Sequence, residues 1–407
     1  MSDIVVIGAG HVGLTLLADL ELTKHHHRLD ACLLSLESSA SIKERSRDWT
    51  RLVMENLVTG EVQTCSLSDS QFGSLRSEEG RRSLRDAGII VVTVPDIPHL
   101  RLELLDILEG SVDLEGKLIV FVRGGQGGQP VLGKWIQDSP RLRDTSVVLV
   151  EDSFYGTRVI GNTVQYKRKI SVNVSLYSLD PDRALTTLRR MFPLGGQIGR
   201  PSWPDMQVCD GIDLLFAPLG YIIHVGVALD PDNVEKTRQG IRYTHYIDGI
   251  SARLAQRLDL LDQERVLLAQ AFGARAQTFP EIIQRQYGLP PQESFFDMMQ
   301  SCRGIYRSLS CGSIEELRVS RVLTEDVPAF LTIRWLAEQA GLHMPHTEAY
   351  FDDVMAALRD VGADFQPCTM YLPYLEKIDG GAEGVRRLLN EPLVTAGRTE
   401  SPVPERG

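Results

Sequence analysis

Of nine histidines, His224 is the one set inside an otherwise apolar stretch, Leu214 to Leu229. An imidazole titrates near pH 6.5, so it can both give and take a proton at neutral pH (about 6.5 is its unperturbed pKa); the same ring can instead be a core residue satisfied by a backbone carbonyl. A second cluster runs Ser320-Arg321-Val322-Leu323-Thr324-Glu325-Asp326-Val327-Pro328. Thr324, Glu325 and Asp326 are what a helix N-terminus favours, because a hydroxyl satisfies free N–H groups and carboxylates suit the positive end of the dipole. An amphipathic helix from Ala329 to Gly341 follows. Capping leaves Arg321 unexplained, and a guanidinium fork is the natural partner of a substrate carboxylate.

The third group is Gly8-Ala9-Gly10-His11-Val12-Gly13, which follows an apolar strand and opens an amphipathic stretch, Val12 to Leu22. In that context Gly8 permits a tight turn, Gly10 lets backbone N–H groups approach a pyrophosphate, and Gly13 lets helix and strand pack closely. The loop therefore reads as a dinucleotide site, with a glycine-rich turn in a nucleotide-free α/β fold as the alternative. The end of the second strand normally separates NAD from NADP, since a carboxylate there binds the ribose 2′-hydroxyl and repels a 2′-phosphate. Ser35 falls near that place, Glu37 follows, and Lys43 and Arg45 could serve a phosphate, so NADP or NAD stays open. Val94-Pro95 and Gly124 to Gly128 both follow predicted strands and should rim the same crevice, unless they are simple turns.

Positioning these groups calls for two kinds of domain. Short β-branched runs at Ile4 to Ile7, Ala31 to Leu36, Ile89 to Val94, Leu118 to Val122, Val147 to Val150 and Ile170 to Leu176 alternate with helical or loop segments, the signature of a mostly parallel sheet wrapped by helices. Beyond about residue 207 strands all but vanish, and Tyr246 to Phe272 carries Ile250, Leu254, Leu258, Leu261 and Val266 at helical spacing. Pro and Gly crowd the stretch from Phe192 to Pro204, which sets the boundary. The expected architecture is α/β plus all-α: a Rossmann-type dinucleotide-binding domain over 1–190, a helical domain over 205–390, and a flexible tail over 391–407.

Composition narrows the partners. With 407 residues, a net charge of -11 and no basic stripe, nucleic acid is an unexpected partner. No apolar run approaches the roughly 20 residues that span a bilayer. Ile4 to Ile7 leads straight into glycines without a basic leader or cleavage site, so a cytoplasmic location is expected. The six cysteines are widely spaced without a CxxC pair, and His25-His26-His27 reads as a solvated turn, so no metal is assigned.

Tyr243 to Ser251, Leu261 to Arg265 and Arg321 to Pro328, together with Glu151 to Arg158 and Val164 to Val174, resemble the octopine/nopaline (opine) dehydrogenase family over nearly the whole chain. The Arg-x-x-Thr-Glu-Asp-Val-Pro segment is the most specific piece. The resemblance implies a histidine–aspartate dyad at His224 and Asp326, a carboxylate-binding Arg321, and Tyr243 on the substrate side. It also implies an NAD(P)H-dependent enzyme that condenses an amino acid with a 2-keto acid and reduces the imine. Around His224 the chain departs from the family pattern, with Pro218, Gly220 and Val225 where asparagines and a proline are usual. Small-molecule substrates are the expected partners and a homodimer is compatible with this reading. The alternatives are a ketopantoate-type reductase, which reduces a ketone, and a dinucleotide-binding sensor without turnover.

Overall fold

The computed structural model describes residues 2–124, 127–192, 204–292, 294–304, 306 and 308–391. Twelve strands are present among them: β1 (Ile4–Ile7), β2 (Ala31–Ser35), β3 (Arg51–Asn56), β4 (Val62–Ser66), β5 (Phe72–Ser74), β6 (Ile89–Val92), β7 (Leu118–Phe121), β8 (Ser146–Val150), β9 (Tyr155–Ile160), β10 (Thr163–Arg168), β11 (Ser171–Tyr177) and β12 (Asp205–Val208). Eight form one sheet in the order β12-β11-β8-β7-β6-β1-β2-β5. From β5 to β8 its strands pair in parallel, and this is the doubly wound dinucleotide-fold order. Ile4 and Val6 of β1 enter one core and Val5 and Ile7 another, so both faces of the central strand are covered. That is why it reads as a continuous apolar run.

β12 pairs with β11 beyond the expected division at 190–205, so the first domain's sheet extends to Val208 and the helical half starts at Gly211. The Pro/Gly linker (193–203) and the expected tail beyond Glu391 lie outside the described residues. A second sheet, β4-β3-β10-β9, was not anticipated. Its strands are short and partly polar, as in Val62-Gln63-Thr64-Cys65-Ser66, and one face is open to solvent, so no apolar run marks them. This sheet packs on the helix His11–His27: Thr15 and Thr157 hydroxyls meet at 2.6 Å, and the Tyr155 hydroxyl donates to Asp19 at 2.6 Å.

His25 to His27 form the last turn of that helix rather than a separate solvated turn. His27 is buried, with Nε2 2.9 Å from the Leu20 carbonyl. The stretch Gly211–Ala228 is 18 residues long with mean hydropathy 1.6, enough by length and composition to cross a membrane, which corrects the expectation that no apolar run comes near that length. It folds as two helices, Gly211–Leu215 and Gly220–Ala228, and 67% of it is buried against the protein's own helical core. The halves interlock at the far end: the Tyr177 hydroxyl donates to the Leu389 carbonyl at 2.5 Å, and Gln129 Nε2 to the Gly211 carbonyl at 2.6 Å.

Candidate active site

His224 lies on the helix Gly220–Ala228. Its Nδ1 stands 2.8 Å from Asp326 Oδ2 and its Nε2 2.6 Å from the Tyr246 hydroxyl. Asp326 ends a π-helical turn, Val322–Asp326, that runs directly into the helix Val327–Ala340; the Val327 N–H reaches back to the Val322 carbonyl. Pro328 has no N–H to continue the tighter ladder, and π-turns of this kind concentrate at functional sites. Neither Thr324 nor Asp326 caps the following helix through its side chain, so the capping explanation of this segment falls away. Gly220, one of the three departures around His224 with Pro218 and Val225, has a steric role here. A Cβ there would stand 1.9 Å from Asp326 Oδ1 and 3.2 Å from His224 Nδ1, so glycine alone lets the carboxylate enter under the helix's first turn.

Asp326 is 1% exposed. Burial by itself would raise its carboxyl, but His224, Arg321 and Arg123 outweigh that and hold it below the usual carboxylate range. An ionised Asp326 can only accept, so it fixes the Nδ1–H of His224 toward itself and turns Nε2 toward Tyr246. Burial pushes the Tyr246 phenol up to about 12, so at neutral pH it keeps its proton and donates it to Nε2. The neighbouring His245 ring, 6.0 Å away, is pushed down to about 3 by burial and then by His224, and stays neutral. Of this pair only His224 is placed to exchange a proton with a ligand.

The dyad opens on a cavity of about 460 Å³ between the halves, lined also by His11, Val12, Arg158 and Arg321. Arg321 is about half exposed, with Nε 3.2 Å from Glu325 Oε2. Glu325 accepts on its other oxygen from Arg123 at 3.0 Å, Arg123 donates to Asp152 at 2.8 Å, and Lys169 reaches the second Asp152 oxygen. Burial alone would raise Asp152, yet Lys169 and Arg123 hold it well below the carboxylate range. This ladder of alternating charge ties the sheet domain to the π-turn. Arg123 adopts φ +60 to complete it, a left-handed conformation that costs a side-chain-bearing residue roughly 1–2 kcal/mol.

At the glycine loop Gly8 has φ +122, and a Cβ on Gly13 would stand 1.9 Å from the Gly8 carbonyl, whereas one on Gly10 would meet nothing within 4 Å. Turn and packing therefore require the first and last glycines, and the middle one faces open space at the first turn of the helix His11–His27. No side chain caps that turn, which leaves its N–H groups available to an anion. The Val159 N–H donates to His11 Nδ1 at 3.0 Å, docking the second sheet on the loop. Val94 and Pro95 follow β6 beside Gly8 but do not line the cavity; Val94 is buried and its carbonyl accepts from Arg101 at 3.0 Å. Thr93, passed over in the sequence, donates to the Ile7 and Gly8 carbonyls at 3.1 Å and steadies the turn.

Ser35 is buried, and its hydroxyl accepts from the Glu37 N–H at 3.1 Å. The ionisable group at this strand end is instead Glu37, paired with Arg45 and, at 2.7 Å, with Ser41. Arg45 also donates to the Ala9 carbonyl at 2.9 Å, beside the glycine loop. A 2′-hydroxyl would find a carboxylate here and a 2′-phosphate a guanidinium. Gly127 and Gly128 serve the joint between halves rather than the crevice. A Cβ on Gly127 would stand 2.4 Å from Ala329 Cα, and the Gly128 N–H donates to Asp96 at 2.7 Å.

Tyr243 is a correction. It is buried in the helical core and absent from the cavity wall; the tyrosine that reaches the site is Tyr246, three residues on in the same loop. Tyr246 and Arg123 were missed. Tyr246 stood inside the quoted family-like stretch, but nothing in its spacing distinguished it from Tyr243. Other residues of those stretches build the frame. Fully buried Arg265 donates to Asp262 at 2.8 Å, and Glu264 accepts from the His346 and Thr347 N–H groups at 2.9 and 2.7 Å, opening the helix Pro345–Val361.

Residues 207–357 match the family model described as the NAD/NADP octopine/nopaline dehydrogenase alpha-helical domain. Over these residues the helical half matches the octopine/nopaline dehydrogenase family. His224, Tyr246, Arg321 and Asp326 all fall within that family's domain. Among solved structures, an octopine dehydrogenase in complex with NADH and agmatine superposes with a TM-score of 0.70 at 15% identity, covering 96% of this chain and 98% of its own. A yersinopine dehydrogenase with NADP+ bound gives 0.64 at 13% identity over 97% and 99%. A dimeric ketopantoate reductase from Staphylococcus aureus gives 0.51 at 13% identity over 88% and 99%. At such identities the likeness is one of fold. No curated protein sequence matches the chain.

Proposed function

We propose that the chain is an opine dehydrogenase, joining an amino acid to a 2-keto acid and reducing the imine between them with NADH or NADPH. The observation that carries this is the His224–Asp326 pair, held at 2.8 Å and opening on the same cavity as the glycine loop and Arg321. The solved relatives with NADH and NADP+ support the cofactor class. Gly8, Gly10 and Gly13 would hold the dinucleotide, with Gly10 leaving the approach open and the uncapped helix N-terminus receiving the pyrophosphate. When bound, the reduced nicotinamide supplies the hydride. This chain's own residues then have two tasks, orientation and proton traffic.

Arg321 binds a carboxylate of the condensing pair through its guanidinium fork and so fixes the face presented to the hydride. Condensation of amine and ketone releases water, and reduction adds a hydride to carbon and a proton to nitrogen. His224 carries the proton through Nε2, and Asp326 orients the ring and stabilises its protonated form. Tyr246 must hand Nε2 over when the substrate enters, because its hydroxyl occupies that position in the free protein. Mass spectrometry of the product tests the proposal: a secondary amine weighing amine plus keto acid, less water, plus two hydrogens supports it. A product that is only the hydroxy acid moves the chain to the ketone reductases.

A further inference from the structure

The second sheet has no task in the proposed reaction, yet it walls the cavity. β9 is its free edge. Three residues fasten that edge along the helix His11–His27: the Tyr155 hydroxyl donates to Asp19 at 2.6 Å, the Thr157 and Thr15 hydroxyls meet at 2.6 Å, and the Val159 N–H donates to His11 Nδ1 at 3.0 Å. Two strand residues advance about 6.6 Å and four helix residues about 6 Å, so Tyr155, Thr157 and Val159 fall in step with Asp19, Thr15 and His11. The strand therefore follows the helix to its first residue, beside the glycine loop. Side chains alternate across a strand. Val159 packs on the core under the sheet, while its neighbour Arg158 is exposed and lines the cavity with His11 and Val12.

Among the described residues no carboxylate pairs with Arg158. Gln165, opposite it on β10, donates to Glu55 at 2.9 Å, Glu37 is taken by Arg45, and Glu325 by Arg123 and Arg321. The His11 ring registers the field at the loop: burial, and then Arg158, Arg321 and Arg45, push it down, and the neutral ring is the form whose Nδ1 accepts from Val159. Positive charge thus gathers where the helix leaves its first N–H groups uncapped and Gly10 leaves the approach open. We propose that Arg158 binds the diphosphate of the dinucleotide together with the first turn of the helix His11–His27, which makes the second sheet part of the cofactor site. A guanidinium fork suits two phosphate oxygens, where an ammonium offers a point charge. The competing anions are the 2′-phosphate of NADPH and a substrate carboxylate. The inference rests on the dinucleotide reading of the glycine loop and not on the condensation.

Titration by nicotinamide fluorescence, without substrate, compares NADH and NADPH in wild type, Arg158→Met and Arg158→Lys. In Arg158→Met both cofactors should bind about tenfold more weakly and by the same factor, on the order of one charge-assisted hydrogen bond. The gap should narrow as salt is raised, and Arg158→Lys should recover part of it. ADP, which carries the diphosphate without the nicotinamide, should lose the same factor in calorimetry. Melting temperatures of the unliganded variants should match wild type, because Arg158 is exposed. A loss confined to NADPH assigns Arg158 to the 2′-phosphate and overturns the proposal. Unchanged cofactor affinity overturns it too, and a raised KM for either organic substrate would then assign Arg158 to a carboxylate. A loss that Arg158→Lys does not reduce, with a lowered melting temperature, marks a structural role and is equally contrary. Wild type that binds neither cofactor would overturn the loop reading itself, and the proposal with it.

Discussion

Gly220→Ala tests the geometry of the dyad without touching either member. The added methyl would stand 1.9 Å from Asp326 Oδ1, where contacts under 3.0 Å are essentially never seen, so the carboxylate must retreat by about 1 Å or more. That retreat breaks the 2.8 Å bond to His224 Nδ1. A misplacement of about 1 Å in a catalytic group costs on the order of 100-fold in rate, and loss of positioned acid–base catalysis about 100- to 10,000-fold, so kcat should fall at least about 100-fold. The buried carboxylate left without its partner should lower stability by roughly 1–3 kcal/mol. Steady-state kinetics, cofactor titration by nicotinamide fluorescence and urea denaturation read the three quantities separately. Cofactor affinity should not change, because the glycine loop is a different part of the wall. A variant with kcat within threefold of wild type and unaltered stability would refute the reasoning.

Gly10→Ala should leave stability untouched, because nothing lies within 4 Å of its Cβ, yet weaken cofactor binding about tenfold or more by filling the pyrophosphate approach; Gly13→Ala, 1.9 Å from the Gly8 carbonyl, should fail to fold normally in circular dichroism and thermal melts. Arg321→Ala should raise the KM of the carboxylate substrate by about 10- to 100-fold with a smaller change in kcat, a split visible in initial rates. Tyr246→Phe removes the 2.6 Å bond that holds the His224 ring and should lower kcat by about tenfold or more in initial rates, with cofactor affinity unchanged. Asp326 has a lowered folded-state pKa, so the stability it contributes is present above about pH 4, its unfolded value, and is lost as pH falls through the lower folded value; Asp326→Asn should flatten that acid limb in urea titrations.

The parallel sheet was legible because its strands are buried on both faces and therefore written as unbroken β-branched runs. Gly8 and Gly13 were legible because the backbone there leaves no other residue type a place, and Gly10 because the spacing sets it between them, open to an approaching ligand. The second sheet was not, since strands such as Val62–Ser66 trade apolar burial for contact with solvent. Residue type pointed to His224 and Arg321, a lone titratable ring among aliphatics and a cation that capping could not explain. The family resemblance added Asp326, and the structure brings Asp326 to His224. Tyr243 and Tyr246 differ by which side of one loop they face, and a single sequence carries no such information. Arg123 and Arg158 sit in segments whose local pattern is that of an ordinary turn and an ordinary strand; their positions become chemical only when β7, β9 and the π-turn converge on one cavity.

The most direct test of condensation follows the near-ultraviolet absorbance of NADH or NADPH with a panel of keto acids, with and without a mixture of amino acids. The account predicts oxidation only when both organic partners are present. Oxidation at the same rate with keto acids alone would contradict it.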